Sequence, residues 1–334
     1  MFQMRARSVA MKTVKNNLLL FTAVLTVLAA CGPEDSQGRI GGGDDPLDAT
    51  EGELARLPSE DFPQLLDVGS WNVEWFGDPE EGPTDERVQM ANVRTVLRQM
   101  ELDLVGLVEV VDAQAFELLV QGMPGYEGLL VTDPRVQNGA AYYATGEQKV
   151  ALLFKKKFHV DSARVVVTNA AYDFAGRPPM EVKLSWTEDG APRTLVIIVA
   201  HFKAMANYDG WNRRTRASVA FKEWLDATYP TRWVLVVGDL NDDIDVSTYQ
   251  SRVSPFSNFV ADSANYQFTT SALTEAGQST TASFRSTIDH HLATNELARR
   301  FVMDSAKVVR PSTIPNYSRN TSDHYPVITR YDLR

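Results

Sequence analysis

Five apolar runs in this 334-residue chain each carry a polar, chemically capable side chain at or just beyond one end. Trp71 is followed by Asn72 within Ser70-Trp71-Asn72-Val73, Leu104 to Val108 delivers Glu109, and Val196 to Ala200 delivers His201. Val234 to Gly238 delivers Asp239 and Asn241, and Ser322-Asp323-His324 stands immediately before Tyr325-Pro326-Val327-Ile328. Asp289 adds a carboxylate inside a further apolar stretch, Ser286 to Ala293. Burying a lone carboxylate is costly, so carboxylates at the ends of buried strands need a partner or a metal. Each residue alone has a structural reading: Glu109 as a solvated strand end, Asp239 as a turn residue after Gly238, His201 as a hydrogen-bonded core histidine. Their recurrence along the chain points instead to one shared site.

The elements that must position them are mostly strands. Strand-type runs are Leu66 to Trp71, Leu102 to Val108, Val150 to Phe154, Ala163 to Thr168, Glu181 to Trp186, Leu195 to Ala200, Trp233 to Val237, Ser286 to Ala293 and Pro326 to Tyr331. Helices are expected over Asp85 to Met100, Asp112 to Val120 and Trp211 to Thr228. In the first of them Val88, Ala91, Val93, Val96 and Leu97 have amphipathic spacing. Many strands with few helices imply an α+β fold of stacked sheets covered by helices. The connections Met123 to Glu147, Ala170 to Met180 and Val246 to Thr280 carry no readable signature.

Hydrophobic residues make up 44% of the chain and charged residues 23%, which suits a packed body rather than a disordered one. The net charge is -10, and the first thirty residues hold Arg5, Arg7, Lys12 and Lys15 with no acid, so the remainder carries -14. An acidic body argues against an extended basic surface for nucleic acid. Bound cations and a local arginine cluster can still reverse the field at a site.

Cys31 is the only cysteine, so no internal disulfide can form. Lys12 and Lys15 precede a nearly unbroken apolar run from Leu18 to Ala30, too short for a membrane span of about 20 residues but suited to a signal-peptide core. Met11 is an expected true start, because residues 1–10 add nothing such a signal needs. The run closes on Leu28-Ala29-Ala30-Cys31, which resembles the bacterial lipoprotein cleavage box, in which the cysteine is lipidated and becomes the mature N-terminus. The expected organisation is a signal peptide over residues 1–30, a flexible acidic tether over 31–64 containing Gly41-Gly42-Gly43-Asp44-Asp45-Pro46, and one domain over 65–334. The other reading is an ordinary secretory signal with a chance cysteine, or an uncleaved anchor; the expectation is a monomer at the bacterial cell envelope, lipid-anchored or secreted, that touches membrane only through its N-terminal lipid.

In chain order, Ser70-Trp71-Asn72-Val73, Leu107-Val108-Glu109-Val110, Ala200-His201-Phe202, Gly238-Asp239-Leu240-Asn241, Ile288-Asp289-His290 and Ser322-Asp323-His324-Tyr325-Pro326 resemble the endonuclease/exonuclease/phosphatase superfamily. The resemblance spans Leu66 to the C-terminus, and Gly-Asp-x-Asn and Ser-Asp-His-Tyr-Pro are its specific parts. It implies a four-layer αββα sandwich of two packed, mainly antiparallel sheets, with the site at one edge.

The resemblance also implies roles. Glu109 is the principal metal ligand, with Asn72 and Asp323 as ligand or orienting groups; the oxygen-rich, cysteine-free set suits magnesium or manganese. His324 matches the catalytic histidine and Asp289 the carboxylate that orients it, an arrangement able to take a proton from water. Asp239 and Asn241 contact the attacking water and phosphoryl oxygens, and His201 contacts phosphate or assists the leaving group. Relatives place a glutamate beside this second histidine; Glu147, Gln148 and Lys149 compete for that position here. His291 shares a face with Asp289, as His290 does not, so it is expected either to border the site or, the favoured reading, to be a packed surface histidine. Arg213 and Arg216 fall on one side of a helix soon after His201, so one of them binding substrate phosphate stands beside a solvated basic turn as an equal expectation.

The leading expectation is a surface-anchored nuclease or phosphodiesterase. The alternatives are a phospholipid or inositol-phosphate hydrolase and a catalytically inactive binding module, the last disfavoured because every candidate role is filled. A dinuclear metallophosphoesterase requires a Gly-Asn-His element, which the sequence lacks.

Overall fold

The computed structural model of the chain describes residues 65–334. The expected signal peptide, Cys31 and the tether lie outside the described residues. Thirteen strands run in order: β1 (Leu65–Phe76), β2 (Leu104–Val110), β3 (Tyr126–Leu130), β4 (Val136–Gln137), β5 (Lys149–Lys155), β6 (His159–Val165), β7 (Met180–Glu188), β8 (Ala191–His201), β9 (Val234–Asp239), β10 (Tyr266–Phe268), β11 (Asp289–Thr294), β12 (Lys307–Val308) and β13 (Val327–Asp332). They form a six-stranded sheet, β12-β13-β1-β2-β5-β3, and a seven-stranded sheet, β10-β11-β9-β8-β7-β6-β4. Among the described residues, only β1–β2, β8–β9 and β4–β6 pair in parallel.

The continuous apolar runs arise because central strands are buried on both faces, and their period of two sorts residues between layers. In β8, Leu195, Ile197 and Val199 face the opposing sheet, while Val196, Ile198 and Ala200 lie in the cluster that packs Phe221 and Leu225 of the long helix Tyr208–Thr228. In β5, Val150, Leu152 and Phe154 point between the sheets; Ala151 and Leu153 face outward, toward a cluster with Val93, Val96 and Leu97 of helix Glu86–Met100 and Phe116 and Leu119 of helix Ala113–Gln121. Three clusters between four layers make the αββα sandwich. A Cβ at Gly106 would stand 2.7 Å from Val237 Cγ2, so β2 and β9 approach closely at the centre.

The two central parallel pairs explain why the polar residues share a rim. β1 and β2 run together with Asn72 opposite Val108, and β8 and β9 run together with His201 opposite Asp239. Their C-terminal ends therefore emerge at one edge of the sandwich. β11 is antiparallel to β9 and begins there, pairing Asp289 with Asp239; β13 is antiparallel to β1, so Ser322–Tyr325 enters at the same edge.

Several boundaries differ from the sequence reading. β1 continues past Trp71 to Phe76 through a register shift, so Asn72 lies inside the strand. β11 starts only at Asp289, because Ser286–Ile288 joins a loop tied to Thr280 and Asp243. β6 is shifted earlier and ends at Val165, and Thr168 opens a turn of 3-10 helix. The long helix begins at Tyr208, where the Asn207 side chain accepts the Gly210 N–H. Val88 is exposed while Val93, Val96 and Leu97 are buried. The four short strands β3, β4, β10 and β12 were not visible in the pattern. His291 is not at the surface: its ring lies between the sheets, Nδ1 at 2.7 Å from Thr329 Oγ1 and Nε2 at 3.0 Å from Ser70 Oγ.

Candidate active site

Asn72 lies at the middle of the rim. Its Nδ2 donates to Glu109 Oε1 (2.9 Å) and to Asp239 Oδ2 (3.1 Å), joining the two sheets, and its Oδ1 accepts the Glu74 N–H. Glu109 is the extra residue of a bulge in β2, with a left-handed φ of 64°, and its second oxygen accepts the Trp75 N–H at 3.2 Å. Glu74, Trp75 and Asn241 also have positive φ. Such non-glycine conformations are costly and collect where side chains are re-aimed. Gly238, at φ 140°, is required by contact: a Cβ there would lie 2.0 Å from Ala200 O.

On the opposite side, His324 Nδ1 lies 2.8 Å from Asp289 Oδ2, and its Nε2 faces Asp239 Oδ2 at 3.8 Å and Asp323 Oδ1 at 3.9 Å. The loop is fixed from behind: Ser322 Oγ donates to Asn72 O and accepts the His324 N–H, while Trp71 Nε1 and Tyr317 OH both donate to His324 O. Asp239 Oδ1 accepts the Asn241 N–H, and Asn241 Nδ2 donates to Phe202 O. His201 Nε2 stands 3.7 Å from both Glu109 Oε1 and Asp239 Oδ2. Its buried Nδ1 has no hydrogen-bond partner among the described residues.

The electrostatics are those of an uncompensated acidic cluster. Burial raises the Glu109 carboxyl against the Asn72 hydrogen bond, and burial together with the Asp289 charge raises Asp239 to about 7 despite His324. Burial and the neighbouring Asp323 raise Glu74 to about 7. Burial alone would depress His324, but the facing carboxylates of Asp289 and Asp239 outweigh it and hold its pKa well above the usual imidazole range. His201 is pushed the other way, by burial and by the charges of Arg177, His324 and Lys203, and stays neutral. Ligand atoms of Glu109, His201 and Asp239 lie within 4.8 Å of one another, as do those of Asp239, Asp289 and His324. Asp323 is aligned with this group through its N–H, which donates to Glu74 Oε2 at 2.8 Å. Buried carboxylate oxygens with raised pKa values beside imidazole nitrogens fit a divalent cation.

The rim thus brings together Asn72, Glu109, His201, Asp239, Asn241, Asp289, Asp323 and His324. Arg213 and Arg216 are differently engaged. Arg213 lies over the Tyr172 ring, donates to Tyr172 O and pairs with Asp209; Arg216 pairs with Asp173 and is half-exposed. The arginine whose charge acts on Glu109, Asp239 and His201 is Arg177, buried in the Ala170–Met180 connection. Its Nη1 donates to Gln148, and its Nε has no partner among the described residues. Gln148 is therefore the residue of its trio that faces this side. Glu147 turns back to accept the Ala144 N–H, and the Lys149 ammonium is spent on the carbonyls of Val111, Thr145 and Glu147. Lys203, its pKa lowered by burial and by Arg213 and Arg177, completes a cationic flank. Sequence reasoning missed Glu74, Arg177 and Lys203. Only Glu74 had a signal, sharing by strand period the face of Asn72.

No curated protein matches the chain by sequence. Solved structures with similar folds include the human Nocturnin catalytic domain with bound sulfate (22% identity, 80% of this chain and 94% of that one, TM-score 0.55). D. rerio TDP2 complexed with a single-strand DNA product is similar at 15% identity over 80% of this chain and 98% of that one, TM-score 0.58. An AP endonuclease from Archaeoglobus fulgidus is similar at 14% identity over 80% and 99%, TM-score 0.52. The profile of the Endonuclease/Exonuclease/phosphatase family, whose members hydrolyse phosphoester bonds, matches residues 69–324, and the chain belongs to that family.

Proposed function

We propose that this protein is a metal-dependent nuclease or phosphodiesterase, exported and held at the bacterial envelope by a lipid on Cys31. The observation that carries the activity is the Asn72 amide joining Glu109 and Asp239 while the Asp289–His324 pair faces the same Asp239 carboxylate. Glu109 and Asp323 would hold the cation, with Asn72 orienting the carboxylates of Glu109 and Asp239. When bound, a magnesium or manganese ion supplies positive charge against the phosphoryl oxygens and offsets the carboxylate field that holds the proton on His324. Asp289 accepts from Nδ1 and so leaves Nε2 of His324 to take a proton from water. Asp239 and Asn241 orient that water and the phosphoryl group. His201, neutral and buried, hydrogen-bonds the phosphate or the leaving oxygen, and Arg177 and Lys203 stabilise its negative charge. Similarity in fold to an AP endonuclease and to a protein seen with a DNA product favours nucleic acid over phospholipid or inositol phosphate.

The test is hydrolysis of plasmid DNA, RNA, sphingomyelin and inositol phosphates in magnesium, repeated with chelator and with His324→Ala. Cleavage of nucleic acid that both treatments abolish is expected. Cleavage of lipid or inositol phosphate alone moves the substrate class, and no cleavage of any member overturns the enzymatic reading. In bacteria, Cys31→Ser should lose acyl labelling; persistent labelling removes the lipid anchor.

A further inference from the structure

Beyond the catalytic rim, the chain carries a strip of exposed side chains whose placement is rigidly tied to it. After His201 the backbone is pinned by Asn241 Nδ2 to Phe202 O, and by Arg214 Nη1 to Lys203 O (2.8 Å) and Met205 O (3.1 Å). Arg214 is itself held by the buried Asp242 carboxylate at 3.0 and 2.8 Å. The same carboxylate accepts from Ser247 Oγ and the Thr248 N–H, which fixes the following turn, where Val246 pairs with Val253. Gln250 and Ser251 at the turn's tip have φ of 52° and 50°, left-handed values costly for non-glycine residues.

The turn is closed onto the helix by Arg252, whose guanidinium carbon lies 4.9 Å from the Trp211 ring centroid, 5.3 Å from Tyr249 and 5.7 Å from Tyr208. Trp211 Nε1 donates to Val253 O at 3.0 Å. Despite this order the outer surface is left open: Met205, Tyr208 and Val253 are 62%, 57% and 69% exposed. Met205 is four residues along the chain from His201, within about 15 Å of reach. Between them lies Lys203, close enough to Arg213 and Arg177 for their charges to act on its ammonium.

We propose that this strip, running from Lys203 past Met205 and Tyr208 to Trp211 and Arg252, binds unpaired bases of a single nucleic-acid strand whose neighbouring phosphate occupies the catalytic rim. The inference rests on the phosphoester-hydrolase reading and names its substrate class. Ring faces and a guanidinium stack on any base, and cations set between them and the rim follow a phosphate backbone. Bases paired inside a duplex do not offer their faces, so the strip selects single strands. A lipid surface would be favoured by exposed apolar groups on a basic body; this chain is acidic, with a formal net charge of -10.

The experiment uses full-length protein and two variants, Tyr208→Ala and Arg252→Ala, with Tyr208→Phe as the conservative control. Magnesium-dependent kcat/KM is compared on a short single-stranded oligodeoxynucleotide and on bis(p-nitrophenyl) phosphate, which has no second nucleotide to stack. The ratio of the two is expected to fall about tenfold or more in Tyr208→Ala, through KM, and to recover in Tyr208→Phe. Fluorescence anisotropy of the labelled oligonucleotide with His324→Ala, alone and combined with Tyr208→Ala, reads binding without catalysis and should show a similar loss. If Arg252→Ala lowers thermal stability, the exposed Tyr208 carries the test. An unchanged ratio and unchanged anisotropy overturn the strip. So does loss of binding to phosphatidylcholine vesicles in Tyr208→Ala with oligonucleotide binding intact. Should the wild type cleave neither substrate, the catalytic reading fails while the anisotropy still decides the strip.

Discussion

His324 is held between two carboxylates at different distances: Asp289 Oδ2 at 2.8 Å from Nδ1, and Asp239 Oδ2 at 3.8 Å from Nε2. The first favours one tautomer and ring plane, and in the proposed mechanism the second orients the attacking water. Asp289→Asn keeps the shape and removes the charge. It should reduce kcat by about 10²–10⁴-fold with little change in KM. The His324 imidazole resonances should also titrate at lower pH, because the main counter-charge is gone. A variant that loses KM instead would assign Asp289 to substrate binding.

Asn72 donates to two carboxylates that burial has already made unfavourable. Asn72→Asp replaces that donor with a third acid. In chelator its melting temperature should drop by on the order of 10 °C, from the loss of two hydrogen bonds to charged groups at about 1.5–3 kcal/mol each. Millimolar magnesium should recover much of the difference, since cation binding favours the folded state. Equal losses with and without magnesium would detach Asn72 from the cation.

The sequence made the rim legible because the topology converts order into place. Parallel neighbours β1–β2 and β8–β9 deliver Asn72, Glu109, His201 and Asp239 to one edge, and apolar runs ending in polar residues mark those ends without any knowledge of the pairing. Arg177 and Lys203 were illegible because their role depends on how the Ala170–Met180 and post-β8 connections fold over the rim, and periodicity does not reach loops. Arg213 and Arg216 illustrate the converse. Helical spacing puts them on one side, but Tyr172 and Asp173, brought up by that same connection, occupy their guanidinium groups. His291 looked exposed because neighbouring histidines are polar. Ser70 and Thr329, supplied by the other sheet, satisfy its ring and let it be buried.

Arg177 and Arg216 give a clean contrast. Arg177→Ala removes a buried charge that acts on Glu109, Asp239 and His201, so KM for a phosphodiester should rise about 10–100-fold, the value of a charge-assisted hydrogen bond. Arg216→Ala breaks only a partly exposed pair with Asp173 and should leave steady-state kinetics within about twofold. Reversal of that ranking would return phosphate binding to the helix.

The Arg214–Asp242 pair is wholly buried, with both side chains at 0% exposure, and the ion pair measures 2.8 Å. Arg214→Met leaves Asp242 charged and partnered by neutral donors alone, Ser247 Oγ and the Asp243 and Thr248 N–H groups. Breaking a buried pair from one side costs about 3–5 kcal/mol. Urea denaturation at neutral pH should show an unfolding free energy lower by that amount, and a loss below about 1 kcal/mol would mean the pair is solvated.

His291 sets how the fold responds to acid. Burial, and secondarily the charge of His290, push its pKa down to about 3, against about 6.5 in an unfolded chain. The folded state therefore keeps the ring neutral between Ser70 and Thr329 while the unfolded state takes up a proton. Stability contributed by the neutral ring is complete above about pH 6.5 and falls as pH decreases toward 3, at up to about 1.4 kcal/mol per pH unit. From pH 7 to pH 5 the loss from this group is about 2 kcal/mol. His291→Gln can still hydrogen-bond both hydroxyls and does not titrate, so its urea midpoint should change less than the wild type's between pH 7 and pH 5, whatever its absolute stability. Parallel pH profiles would mean that the ring accepts its proton in the folded state, and that the space between the sheets at Ser70 and Thr329 admits water.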